Sequence, residues 1–169
     1  MKHSVTLAAS ALLLAACASV EPDGPSAIAV VRPASGSQVR GEVRFTQVGT
    51  RVRVTADITA LSPGPHGFHI HDKGDCSAPD GMSTGGHFNP HGKKHGAPAA
   101  PDRHAGDLGN LAANEYGKAT LTTIIDGISV SKGADGVIGR AVIVHAGPDD
   151  LKTDPTGNSG GRIGCGVIN

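Results

Sequence analysis

The chain has 169 residues, with Lys+Arg 15 against Asp+Glu 15 and so a formal net charge of zero. That balance argues against a nucleic-acid binder, and three Phe, one Tyr and no Trp leave no platform for stacked bases. The length suits one domain with a real core, and 25 Gly with 11 Pro fit short strands joined by turns and long loops.

At the N-terminus, Met1-Lys2-His3-Ser4 is weakly basic and Val5 to Leu14 is a largely apolar run of ten residues. This is shorter than the roughly 20 residues that span a bilayer and matches the core of a signal peptide. The run ends in Leu14-Ala15-Ala16-Cys17, which resembles the lipobox of bacterial lipoproteins. The resemblance implies a signal peptide over 1–16 that takes His3 with it, and a lipid on Cys17 that anchors the mature chain to a membrane. Ala18, rather than an aspartate, follows the cysteine and implies the periplasmic side of the outer membrane. An ordinary secretory signal with an incidental Cys17 is the other reading. Residues 17–27, small, polar and Pro-containing, read as a tether, and the folded domain is expected over 28–169.

Short apolar runs follow at 27–32, 41–48, 51–61, 66–71, 107–112, 118–125, 137–145 and 163–168. The clearest is the third, where Arg51, Arg53, Thr55, Asp57 and Thr59 alternate with Val52, Val54, Ala56 and Ile58. Period two places one face in a core and one in water. Gly, Pro and Asn clusters separate the runs, and no segment carries a long helical stripe. About eight strands in one domain predict an all-β fold, an antiparallel sandwich or barrel.

Two stretches break the pattern, Asp72 to Gly106 and Ala146 to Gly161, and such long loops are commonly functional. They hold Cys76, His87, His91, His95, His104 and Asp149, so the nine histidines bunch rather than scatter. His69 and His71, two apart on a strand, point to one face and could share an ion. His87, His95 and their neighbour His91 are spaced by four, but Pro90, Gly92, Gly96 and Pro98 argue against a helix there, so loop folding must gather them. If Cys17 carries lipid, Cys76 and Cys165 remain as a pair in an oxidising compartment, with two free thiols as the alternative.

The blocks GFHIH at 67–71, GGHFNP at 85–90, KKHGAP at 93–98, RHAGDLGN at 103–110, VIVHAGPDDL at 142–151 and GGRIGCGVI at 160–168 together resemble copper/zinc superoxide dismutase. They fall in family order. The resemblance implies an eight-stranded antiparallel Greek-key sandwich or barrel with two long metal-site loops. It also implies one copper and one zinc ion per chain. His69, His71, His87 and His145 would hold copper; His87, His95, His104 and Asp107 would hold zinc, with His87 bridging the two. Imidazole suits both metals, and a carboxylate can complete a zinc site.

Asp149 matches the aspartate that orients one histidine of each metal, and Arg162 the arginine that attracts the substrate anion. His66 matches a structural position, and His91 has no counterpart and reads as a solvated loop residue. The implied reaction is disproportionation of superoxide to oxygen and hydrogen peroxide by copper redox cycling, in the bacterial periplasm, with Arg162 and His87 taking part. A copper-binding or copper-delivery protein without turnover is the alternative. Cys76 stands five residues after His71, an arrangement like the bacterial form of the family, and the loop from His145 to Arg162 is shorter than in animal enzymes. That shortening withholds the animal enzymes' steering residues and dimer contact, so a homodimer stays only possible. Lys93, Lys94 and Lys152 could steer substrate, although surface solvation is their ordinary role.

Overall fold

The computed structural model describes residues 23–169, so the signal peptide and Cys17 lie outside the described residues. Eight strands follow one another: β1 (Asp23–Pro33), β2 (Arg40–Val48), β3 (Arg51–Thr59), β4 (Gly64–His71), β5 (Asp107–Ala113), β6 (Ala119–Ile125), β7 (Ala141–His145) and β8 (Arg162–Val167). The expected tether does not extend to Ala27, because β1 already begins at Asp23. A bulge between Asp23 and Ser26 absorbs Gly24 and Pro25, a place where a missing N–H is tolerated, and Asp23 accepts a 2.8 Å hydrogen bond from Arg53.

All strand pairs are antiparallel, in the order β5-β4-β7-β8-β1-β2-β3-β6. The connections β3–β4 and β6–β7 therefore join strands that are not neighbours in the sheet, which is Greek-key connectivity. β5 and β6, joined by a turn, stand at the two ends of this order and pack against each other, so the sheet nearly closes into a barrel.

The alternation read in β3 is realised: Val52, Val54, Ala56 and Ile58 face inward beside Val43 and Phe45 of β2 and Ala27, Ala29 and Val31 of β1. Phe45, Phe68 and Phe88 are the largest fully buried side chains, each contributing about 1.5–3 kcal/mol of burial. Phe88 comes from the 72–106 loop rather than a strand. Its N–H donates to Ile70 O at 2.8 Å and its carbonyl accepts from Gly106 at 2.9 Å, which pins the loop beside β4.

β4 and β7 show no alternation of burial because the two long loops cover their outer face. Phe68, Ile70, Val142 and Val144 point to the barrel core, while His69, His71 and Ile143 point outward and are nonetheless buried. Of the two readings for the cysteines, the pair is realised: Cys76 and Cys165 form a disulfide with Cα atoms 5.9 Å apart across a separation of 89 residues. It ties the 72–106 loop to β8 against Ala141 and Ile143. A crosslink closing so long a loop stabilises by at most about 4.5 kcal/mol in the chain-entropy account.

Candidate metal centre

The outer face of β4 carries His69 and His71, and the end of β7 brings His145 beside them. The loop after β4 returns antiparallel to it, so that His87 bridges to His71. Each ring is fixed by one nitrogen. His69 Nε2 donates to Asp149 Oδ2 at 2.8 Å, His71 Nδ1 to Gly85 O at 2.9 Å and His145 Nδ1 to Gly160 O at 3.1 Å. The other nitrogens, His69 Nδ1, His71 Nε2 and His145 Nε2, together with His87 Nε2, are buried with no hydrogen-bond partner.

Buried polar atoms are almost always satisfied, and each left unpaired costs about 1–3 kcal/mol. Four such orphans on rings whose donor atoms lie within 4.8 Å of one another form a ready donor set for a cation. Burial is the main cause that holds three of these imidazoles neutral, lowering His71 to about 2, His145 to about 3 and His87 to about 4, with neighbouring imidazoles adding to it. Neutral rings keep their lone pairs for a metal.

A second cluster lies behind the first, formed by His87, His95, His104 and Asp107. Asp107 Oδ2 accepts backbone N–H groups from Gly96 at 3.0 Å and His104 at 2.9 Å. Its Oδ1 is thereby turned toward Nδ1 of His87 and His95, both at 3.0 Å, and Nδ1 of His104 at 3.3 Å. Three imidazole nitrogens around one carboxylate oxygen supply the donors of a closed zinc site. Burial alone would raise the Asp107 pKa, but hydrogen bonds from His104 and His87 outweigh it and hold the carboxyl far below its usual range. His104 goes the other way: burial opposes its charge, but Asp107 raises it overall. His87 thus presents Nε2 to the first cluster and Nδ1 to the second.

Asp149 joins the two clusters. Its Oδ2 takes His69 and its Oδ1 takes His95 Nε2 at 2.9 Å, with both acceptor oxygens buried. Burial would raise its pKa, and bonds from His69, the Leu151 N–H and His95 lower it below the ordinary value. Asn110 clamps its backbone reciprocally, accepting from Asp149 N at 2.8 Å and donating to Asp149 O at 2.9 Å.

Arg162 stands at a cleft of about 510 Å³ whose floor is His71, His87 and His145. Its Nη1 donates to Gly81 O and Thr84 Oγ1, both at 2.9 Å. The rest of the guanidinium fork has no hydrogen-bond partner among the described residues. Burial pushes the Arg162 pKa down somewhat and Asp80 offsets part of this; the group stays cationic.

Every residue expected at the two metal positions, with Asp149, is brought into these clusters, and Cys76 and Cys165 are bonded. His66 is buried and hydrogen-bonded to His145 O at 2.8 Å and Ser62 O at 2.9 Å, a packing role. His91 is half-exposed and pairs with Asp135 at 3.1 Å, away from the clusters. Lys93 is exposed and bonds to Pro101 O.

Sequence reasoning missed Asn110, which closes the RHAGDLGN block, and Asp154, which accepts the His95 N–H at 2.9 Å. It also missed Gly157, where a Cβ would overlap Asp149 Oδ1. Two of these had no sequence signal, because long-range approach alone gives them meaning. For Asn110, an amide just past the ligand carboxylate was a signal that could have been followed.

A model of the family described as copper/zinc superoxide dismutase matches residues 39–168. Among solved structures, the chain is similar to one described as the clock protein EA4. The two share 47% identity with a TM-score of 0.77, over 85% of this chain and 93% of that one.

Proposed function

From the premise that the chain belongs to the copper/zinc superoxide dismutase family, we propose that it disproportionates superoxide to oxygen and hydrogen peroxide, protecting a bacterial cell envelope. The observation that carries this reading is the set of four unpartnered imidazole nitrogens, three of them on rings that line an open cleft with Arg162 at its edge. Their chemistry fits copper, and the His87, His95, His104 and Asp107 set fits zinc, so the proposal is one ion of each per chain.

Copper, when bound, supplies the one-electron redox couple that takes an electron from one superoxide and returns it to the next. The chain does the remainder. His69, His71 and His145 are locked in single tautomers by Asp149, Gly85 and Gly160, so their lone pairs need no reorganisation. Asp149 Oδ1 and Oδ2 hold a histidine of each cluster in register. His87 Nε2 lies at the cleft floor, where a proton can be held and given up toward peroxide. Arg162, braced on Gly81 and Thr84, draws the small anion in and orients it with its free N–H groups.

A copper carrier without turnover is the competing reading. A carrier needs neither the second cluster nor a cation at an open cleft, and both favour the enzyme. Arg162→Lys should keep part of the activity, Arg162→Ala less and Arg162→Glu least, with copper content intact in all three. Activity should also fall as salt rises. Equal large losses in the three variants, together with lost copper, would overturn the attraction role.

The proposal extends to the N-terminus: residues 1–16 are removed, Cys17 is lipidated, and the domain is tethered on the periplasmic side of a membrane, in keeping with the outer-membrane signal at Ala18. Mass spectrometry of the mature protein should find an acylated Cys17 at its start. An unmodified N-terminus elsewhere would contradict this.

A further inference from the structure

We propose that Arg140 is a positioning residue for the copper site, fixing the relative placement of His71, His87 and His145 through their chain neighbours. This rests on the reading above that these histidines hold copper. Arg140 immediately precedes β7, whose last residue is His145. Its guanidinium carbon lies over Phe88, 3.5 Å from the ring centre, and Phe88 directly follows His87. Its Nη1 donates to Asp72 twice, to the backbone oxygen at 3.0 Å and to Oδ1 at 2.6 Å, and Asp72 directly follows His71. One side chain therefore grips the residue after each of two ligand histidines and belongs to the residue that leads into the strand carrying a third.

The remaining contacts hold that grip in place. Nε donates to Gly136 O at 2.7 Å, and Nη2 reaches Ala134 O at 3.3 Å and Gly133 O at 3.4 Å, anchoring the arm before β7. The Asp72 N–H donates to Gly86 O at 3.0 Å, so the two gripped segments already lie side by side and Arg140 spans them. A planar fork with five donors and a face that stacks on an aromatic ring can make all these contacts at once, whereas an ammonium cannot. Donor sets work only when held within about 0.5 Å of the productive geometry, and second-layer contacts supply that tolerance. Arg140 makes no hydrogen bond to the second-cluster residues His95, His104 and Asp107, and only His87 is shared by the two clusters, so its effect should fall more heavily on copper than on zinc.

The test loads wild type, Arg140→Leu, Arg140→Lys and Asp72→Asn with zinc and copper(II). It then records the copper EPR spectrum and measures each metal's affinity by chelator competition. Arg140→Leu should weaken copper about tenfold or more and change the hyperfine splitting, with a clearly smaller loss of zinc affinity. Arg140→Lys should recover part of the wild-type splitting, because the charge over Phe88 and beside Asp72 survives while the fork does not. Asp72→Asn, isosteric and exposed, should shift the spectrum the same way by less, and it decides the matter if Arg140→Leu does not fold. Wild-type spectra and copper affinity in Arg140→Leu and Asp72→Asn would overturn the proposal, as would equal losses of copper and zinc. A wild type that takes up no copper at the histidines would overturn the underlying reading, and its own spectrum tells that failure apart.

Discussion

Gly157 and Gly92 both have φ of +60°, but their surroundings differ completely. A Cβ on Gly92 meets nothing within 4 Å, whereas one on Gly157 overlaps Asp149 Oδ1 and comes within 2.7 Å of His95 Nε2. Alanine at either position carries the left-handed penalty of about 1–2 kcal/mol. In Gly157→Ala the Asp149 carboxylate must also move, which disturbs its bonds to His69 and His95. Charge-assisted bonds of this kind contribute about 1.5–3 kcal/mol each, so metal-free Gly157→Ala should be less stable than Gly92→Ala by at least about 1.5 kcal/mol. Its affinity for both metals should fall roughly ten- to hundredfold, while Gly92→Ala keeps wild-type affinity. Urea unfolding of the metal-free proteins and chelator competition measure the two effects. Equal affinities in the two variants would refute the argument that Asp149 orients the ligands of both clusters.

The histidines separate by substitution. His145→Ala should lose copper and activity together, His104→Ala should lose zinc first and loosen the 72–106 loop, and His91→Ala should change neither; metal analysis after dialysis checks all three. Zinc stripped by His91→Ala but not by His104→Ala would reverse the assignment. The metal-free protein should lose stability as pH falls below about 6.5, the unfolded histidine value. His71 near 2, His145 near 3 and His87 near 4 stay neutral in the fold while the unfolded chain takes up their protons. Their contribution is present above about 6.5 and falls by at most about 4 kcal/mol per pH unit below it. His104, raised in the fold, opposes this only on the alkaline side, where its contribution is lost as pH rises. Urea midpoints between pH 7 and 5 at constant ionic strength test the sign, and a midpoint that rises on acidification contradicts it.

Period two in β3 was readable because one face of that strand meets water. The burial of both faces of β7 was not, since Ala141–His145 is a continuous apolar run ending in a histidine, and only the loops folded over it give its outer face a role. β1 was read too short because Gly24 and Pro25 look like linker, while pairing with β2 and the Asp23–Arg53 contact extend the strand across them. At the site, His69 and His71 follow from strand geometry alone. His87, His95 and His104 stood out as histidines bunched in one long loop, but their grouping with Asp107 came only through family resemblance, because no local period brings loop residues to one oxygen. Arg140 and Gly157 matter through Phe88, Asp72 and Asp149, which are distant in sequence, so neither a spacing nor a composition could reveal them.

The most direct measurement determines copper, zinc and superoxide disproportionation on one purified sample. The two clusters predict one ion of each metal per chain. Activity should scale with copper content, vanish when copper is removed and return when copper, not zinc, is restored. A sample with its full copper that disproportionates superoxide no faster than the copper-free protein would contradict the account.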